Sequence, residues 1–161
     1  MTTTLQSALT IAAALGAGIA AGVYLAFPAL VMPALRIVPA RTAIAAMQQI
    51  NISAMRGPFM VVFFGGAAAA ATIVVSELVS GAVAEEGPVR IVGAGLALAA
   101  VGITIVRNVP LNDQLARITP DSPDIADRWR SFERSWSIAN HARAFASIAA
   151  TVILAVSLAT T

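Results

Sequence analysis

The side chains able to do chemistry in this chain are few, and they sit at helical spacing. Trp129, Phe132, Trp136, Asn140 and Arg143 follow one another at intervals of 3, 4, 4 and 3 residues, the repeat of one helix face. An aromatic stripe of that period usually packs in a core. Its continuation into an amide and a guanidinium at the mouth of a long apolar stretch is the unusual part. An arginine at such a boundary either snorkels outward or, if it faces the interior, must be paired or aimed at a ligand. The stripe favours the interior face for Arg143. His141, the only histidine, lies about 100° around the helix from Asn140. Histidine suits proton transfer near neutrality, although a lone one more often holds an interface.

Two further groups carry amides. Asn108 and Asn112 flank Pro110 in the run RNVPLND. Proline removes a backbone donor and pushes the residue before it away from helical geometry, so a helix is expected to stop near here. The two amides then satisfy freed backbone groups or project into a cavity. Upstream, Ile44, Met47, Gln48, Asn51 and Met55 share one helical stripe. Gln48 and Asn51 are thus embedded in an apolar face, where each either bridges a neighbouring helix or meets a ligand.

The elements that must position these groups follow from composition. Of the 161 residues, 58% are hydrophobic and 11% charged, and mean hydropathy is +0.84. A soluble domain carries about 25% charge, so this chain is read against a bilayer. Residues 1–35, 57–76, 91–106 and 144–161 contain no charged side chain. A hydrocarbon core takes roughly 20 helical residues. Four membrane segments are therefore expected, at about 8–32, 58–79, 89–107 and 138–159. The short third one requires Arg90 and Arg107 to snorkel outward. The first lacks a basic leader region and exceeds a signal-peptide core, so it reads as a retained helix.

The expected fold is all-α: a single four-transmembrane-helix bundle with an amphipathic cytoplasmic helix before the second segment. A long helix leads into the fourth, with Ser122 as its N-cap and Pro123 at its first position. Gly18 and Gly22 form a small-xxx-small pair suited to close helix approach, with Gly65, Gly66, Gly93 and Gly95 adding to the supply.

All ten basic residues are arginine. Nine of them flank segments 1, 2, 3 and 4 on one side; only Arg90 lies on the other, beside Glu85 and Glu86. The positive-inside rule makes the arginine-rich side cytoplasmic and puts both termini outside, in a multi-pass protein of the cell membrane.

Composition also excludes chemistry. With no cysteine and one histidine, the chain cannot build zinc ribbons, thiol catalysis, a bis-His haem site or a conventional transition-metal centre. It has no P-loop or dinucleotide fingerprint, and nothing reads as a nucleic-acid binder. Glu77, at the outer end of segment 2, is the only acidic residue near a membrane segment. Proton-coupled transport normally needs ionisable groups deeper than that.

FPALVMPAL in segment 1, MQQIN before segment 2, NVPLN after segment 3 and WSIANHAR opening segment 4 together resemble the anthrone-oxygenase-like family of small four-helix membrane proteins. The likeness spans nearly the whole chain, and NVPLN with the Trp-to-Asn-to-Arg spacing is its most specific part. The resemblance implies oxidation of an anthrone to an anthraquinone by molecular oxygen, with no metal or other cofactor. It carries over Asn51, Asn112, Trp136, Asn140 and Arg143.

Such chemistry needs a base, a stabiliser for an oxyanion and a water-poor pocket. Asn112, Asn140 and Arg143 are the candidates for the oxyanion and His141 for the proton. Trp136, Trp129, Gln48, Asn51 and Asn108 are the candidates for binding a lipophilic aromatic molecule. Fold does not imply function, so a second expectation stands beside the first. A non-enzymatic subunit, holding lipid, a homo-oligomer or a membrane complex, would use the same groups as interhelical glue. An enzyme should keep a polar-lined cavity at the arginine-rich end, whereas a subunit should bury these side chains completely.

Overall fold

The computed structural model describes residues 3–80 and 87–160, and within them the chain is all-helical. Four helices are long and apolar enough to cross a membrane: Thr4–Arg36, Phe59–Val79, Gly87–Ala116 and Ile125–Ala159. The first comprises α1 (Thr3–Ala26), a π-helical turn (Phe27–Val31) and α2 (Met32–Arg36). The second is α4 (Phe59–Ser80). The third joins α5 (Gly87–Ile103), a second π turn (Thr104–Asn108) and α6 (Val109–Ala116). The fourth is α7 (Ile125–Ala159). Between the first two runs α3 (Ala40–Arg56), the expected amphipathic helix, opened by Pro39 and closed at Gly57.

The helices pack in a ring, α1 against α4, α4 against α5, α5 against α7 and α7 against α1. Successive membrane helices run antiparallel, and α1 lies diagonal to α5. α3 crosses one end, touching α2, α6 and α7. There Met32, Leu35, Ile44, Met47, Leu115 and Phe132 join the two tryptophans in one buried cluster. The other half of the bundle is held by small residues, with Ala13, Ala70, Ala94 and Leu154 in its core. Leu15, Phe64, Val79, Val106 and Phe145 point outward, as apolar side chains do where the surroundings are lipid.

Both π turns answer to proline. Pro33 and Pro110 follow the turns by one residue, and the carbonyls four residues back, on Ala29 and Val106, lie inside them. A proline ring clashes with that carbonyl and supplies no N–H. Widening the turn relieves the clash while the helix continues: the Met32 N–H reaches the Phe27 carbonyl and the Val109 N–H reaches that of Thr104, each five residues back. The third helix therefore does not stop near Pro110, as its sequence suggests, but runs on to Ala116.

Three other expectations change. α7 starts at Ile125 behind Asp124, whose φ of 56° is left-handed. Ser122 caps no helix; its Oγ accepts the Thr119 N–H at 3.0 Å within the preceding turn. Arg90 does not snorkel. It is buried against Glu77, Nε to Oε1 2.8 Å, because a salt bridge inside the bundle satisfies both charges without crossing lipid. Glu85 and Glu86 lie outside the described residues.

The close helix approach is also elsewhere. A Cβ on Gly22 meets nothing within 4 Å, and one on Gly18 only touches Thr151, whereas one on Gly16 would stand 2.7 Å from the Gly66 Cα. Backbone cannot yield as a side chain does. Gly16→Ala is expected to lower stability by about 1–3 kcal/mol while Gly22→Ala leaves it unchanged, read by thermal unfolding in detergent.

Candidate functional site

Where the two π turns flank α7, the polar end of the aromatic stripe turns inward. Trp136 lies between them: its ring meets that of Phe27 at a centroid distance of 4.7 Å, and its carbonyl accepts the Asn108 Nδ2 at 3.5 Å. The Trp136 indole Nε1 donates to Asn112 Oδ1 at 2.9 Å. One turn further along α7, Asn140 is fully buried, and its Nδ2 donates to the Tyr24 carbonyl at 2.9 Å. Proline explains that contact too. Residue 28, four beyond Tyr24, is Pro28 and has no N–H to give, so the carbonyl takes its hydrogen bond from another helix.

Arg143 completes the group. Its Nε and Nη2 donate to Asn140 Oδ1 at 3.2 and 3.0 Å. Its guanidinium stands 4.2 Å from the centroid of the Tyr24 ring and 5.1 Å from that of Trp136. Only 7% of the residue is exposed. Among the described residues no carboxylate pairs with it; the ion pairs are Arg36–Glu133, Arg41–Asp121, Arg90–Glu77 and Arg130–Asp127. Two electron-rich ring faces and one amide oxygen thus hold a buried cation. Aromatic faces attract a cation but do not neutralise it, and a buried charge ordinarily has a counter-charge. Close by, Asn108 Oδ1 and Ser137 Oγ are buried without a hydrogen-bond partner, a rarity in folded proteins.

The structure thus gathers Asn108, Asn112, Trp136, Asn140 and Arg143, and it separates the other candidates from them. His141 is exposed on the outer face of α7, its Nδ1 2.7 Å from the Ser137 carbonyl of the preceding turn. The 100° offset from Asn140 carries it out of the bundle. Gln48 closes the end of α6, donating to the carbonyls of Leu115 at 2.8 Å and Ile118 at 3.1 Å. Asn51 is half-buried, and Met55, at the end of the same stripe, is exposed where α3 leaves the bundle. Trp129 is buried two turns from Trp136 and stacks on Phe132 at 5.7 Å, within the cluster that seats α3.

Two members of the site were not singled out from the sequence. Tyr24 is the only tyrosine and stands four residues before a proline within a helix, which is the available signal for a carbonyl awaiting a partner. Phe27 offered none beyond its place in FPALVMPAL. Above the cluster, a narrow crevice of about 20 Å³ runs between the helices, with Tyr24 and Ser147 at its lower end.

A family model described as anthrone oxygenase matches residues 59–153. That stretch holds NVPLN, WSIANHAR and the whole of α4 and α5; FPALVMPAL and MQQIN precede it. Comparison with curated proteins and with solved structures found no match. The family match covers more than half of the chain and includes Asn108, Asn112, Trp136, Asn140 and Arg143, so this protein belongs to the anthrone oxygenase family.

Proposed function

We propose that this protein is an integral membrane oxidoreductase that uses O₂ on a lipophilic aromatic ketone of the anthrone type, at the arginine-rich, cytoplasmic end of the bundle. The observation that carries this reading is the buried Arg143 guanidinium, held by Asn140 and two aromatic rings and paired with no carboxylate among the described residues. An anthrone has an acidic C–H conjugated to its carbonyl. Loss of that proton leaves an anion whose charge rests largely on oxygen, and Arg143 with Asn112 or Asn140 meets it in surroundings of low dielectric.

Trp136 offers a face for the flat ring once Phe27 swings aside. With His141 on the outer face, the proton leaves to solvent at the arginine-rich end. The anion passes an electron to O₂, the two radicals join at the same carbon as a peroxide anion, this takes the proton back to become a hydroperoxide, and loss of water leaves the second carbonyl. One ketone and one O₂ give one dione and one water, and no resident cofactor enters.

A second reading rests on one observation. The cluster is closed, with Trp136, Asn140 and Arg143 buried as expected of a subunit, and the crevice above it, about 20 Å³, is far below the roughly 300 Å³ at which ligand pockets begin. A non-catalytic membrane subunit would use Asn140 and Arg143 only to join helices.

Oxygen uptake by the detergent-purified protein with an anthrone separates the two. Wild type is expected to consume one O₂ per anthrone oxidised, and Asn140→Ala to lose about 10²-fold of that rate. Folded, monodisperse wild type without uptake overturns the oxidoreductase reading. Activity that survives replacement of Asn112, Asn140 and Arg143 by alanine together overturns the site.

A further inference from the structure

The crevice above the cluster is an unusual void for a bundle held by alanine and glycine. Ala17 and Ala20 of α1, Gly66 of α4 and Ala100 of α5 form its walls, with the Tyr24 ring and Ser147 at its lower end. Small side chains bring helices together, so a gap persisting among them is not the natural result of close packing. Its volume, about 20 Å³, suits one molecule of a few atoms. A water would need two to four polar partners, and the lining is mostly apolar. The one hydroxyl lining it from α7 belongs to Ser147, which is 2% exposed.

The position is as informative as the size. Ser147 is one turn beyond Arg143 on the buried face of α7, and Tyr24 is shared: its ring lines the crevice and also lies 4.2 Å from the Arg143 guanidinium. A molecule seated there reaches the cationic cluster from the membrane interior, while a larger ligand reaches it from the arginine-rich end. We infer that this crevice is the dioxygen site of the protein, taking O₂ from the hydrocarbon phase and holding it between Ala20, Ala100 and Ser147 beside the Arg143 cluster. O₂ is small, apolar and accepts at most a weak hydrogen bond, which suits a mostly apolar crevice with Ser147 at one end. This inference rests on the oxidoreductase reading, because it assigns the second substrate of that reaction.

Filling the crevice tests it. Ala100→Leu and, independently, Ser147→Val are expected to raise the KM for O₂ at least fivefold while leaving the KM for the anthrone within twofold. Folding of each is checked by thermal unfolding. A readout without turnover accompanies this: alanine-methyl NMR of the protein in nanodiscs under O₂ pressure. Paramagnetic broadening is expected at the Ala17, Ala20 and Ala100 methyls of wild type, beyond that of lipid-facing alanines, and is expected to disappear from Ala17 and Ala20 in Ala100→Leu.

Wild type that takes up oxygen, with the same KM for O₂ in both folded variants, overturns the dioxygen site and leaves the oxidoreductase reading standing. Wild type with no uptake overturns that reading. Core methyls broadened no more than lipid-facing ones overturn the site whatever the activity.

Discussion

Arg143→Met is expected to lower anthrone oxidation by about 10²–10³-fold while the folded bundle keeps or gains stability. The two effects have one cause. A guanidinium taken out of water without an anion carries a desolvation cost of several kcal/mol, offset in part by the Tyr24 and Trp136 ring faces at roughly 0.5–2 kcal/mol each and by the bonds to Asn140 Oδ1. Methionine fills similar space with no charge to bury. If the cation is kept for a bound oxyanion, its removal releases that cost and abolishes the stabilisation that appears only when the substrate ionises. Oxygen uptake and detergent-phase unfolding on the same preparation read both quantities. A fall in stability of more than about 2 kcal/mol with unchanged uptake would assign Arg143 to holding helices together.

At the far end of the bundle the expected sign is opposite. Glu77 and Arg90 are 3% and 4% exposed and bonded at 2.8 Å, and Gln6 Nε2 also donates to Glu77 Oε1. Both charges are satisfied here, so removing one leaves the other buried alone. Glu77→Ala is expected to cost about 3–5 kcal/mol, and the double change Glu77→Leu with Arg90→Met to recover most of it. Unfolding titrations in mixed detergent measure this. From Ala67, which lines the crevice, Glu77 is ten residues further along α4, roughly 15 Å at 1.5 Å per residue. Oxygen uptake per folded molecule should accordingly stay at the wild-type level in the double variant. A double variant as unstable as Glu77→Ala would mean that the surrounding helices need the charges themselves.

These two arginines show how far the sequence could be read. Both border charge-free stretches, and snorkelling was open to each. The periodic stripe correctly turned Arg143 inward, because it extends a buried aromatic series on the same helix. No stripe accompanied Arg90, and its partner Glu77 lies across a connection outside the described residues, so the pairing had no periodic signal. Glycine spacing was similarly indecisive. Gly18 and Gly22 fit a pattern for close approach, but helix contact depends on rotation and crossing, which placed Gly16 on Gly66 instead.

Four apolar spans, the amphipathic α3 and the inward stripe of α7 were determined by the sequence alone, because hydropathy and helical rotation are local properties that each segment carries with it. Tertiary structure decided everything that depends on two segments meeting. It carried two helices through Pro33 and Pro110 by way of π turns, set Tyr24 beneath Arg143, and brought Asn140 to a carbonyl 116 residues away. It also left His141 outside. Those outcomes follow from where unsatisfied backbone groups and buried charges find partners in a medium without water, and a partner is fixed by packing rather than by spacing along the chain.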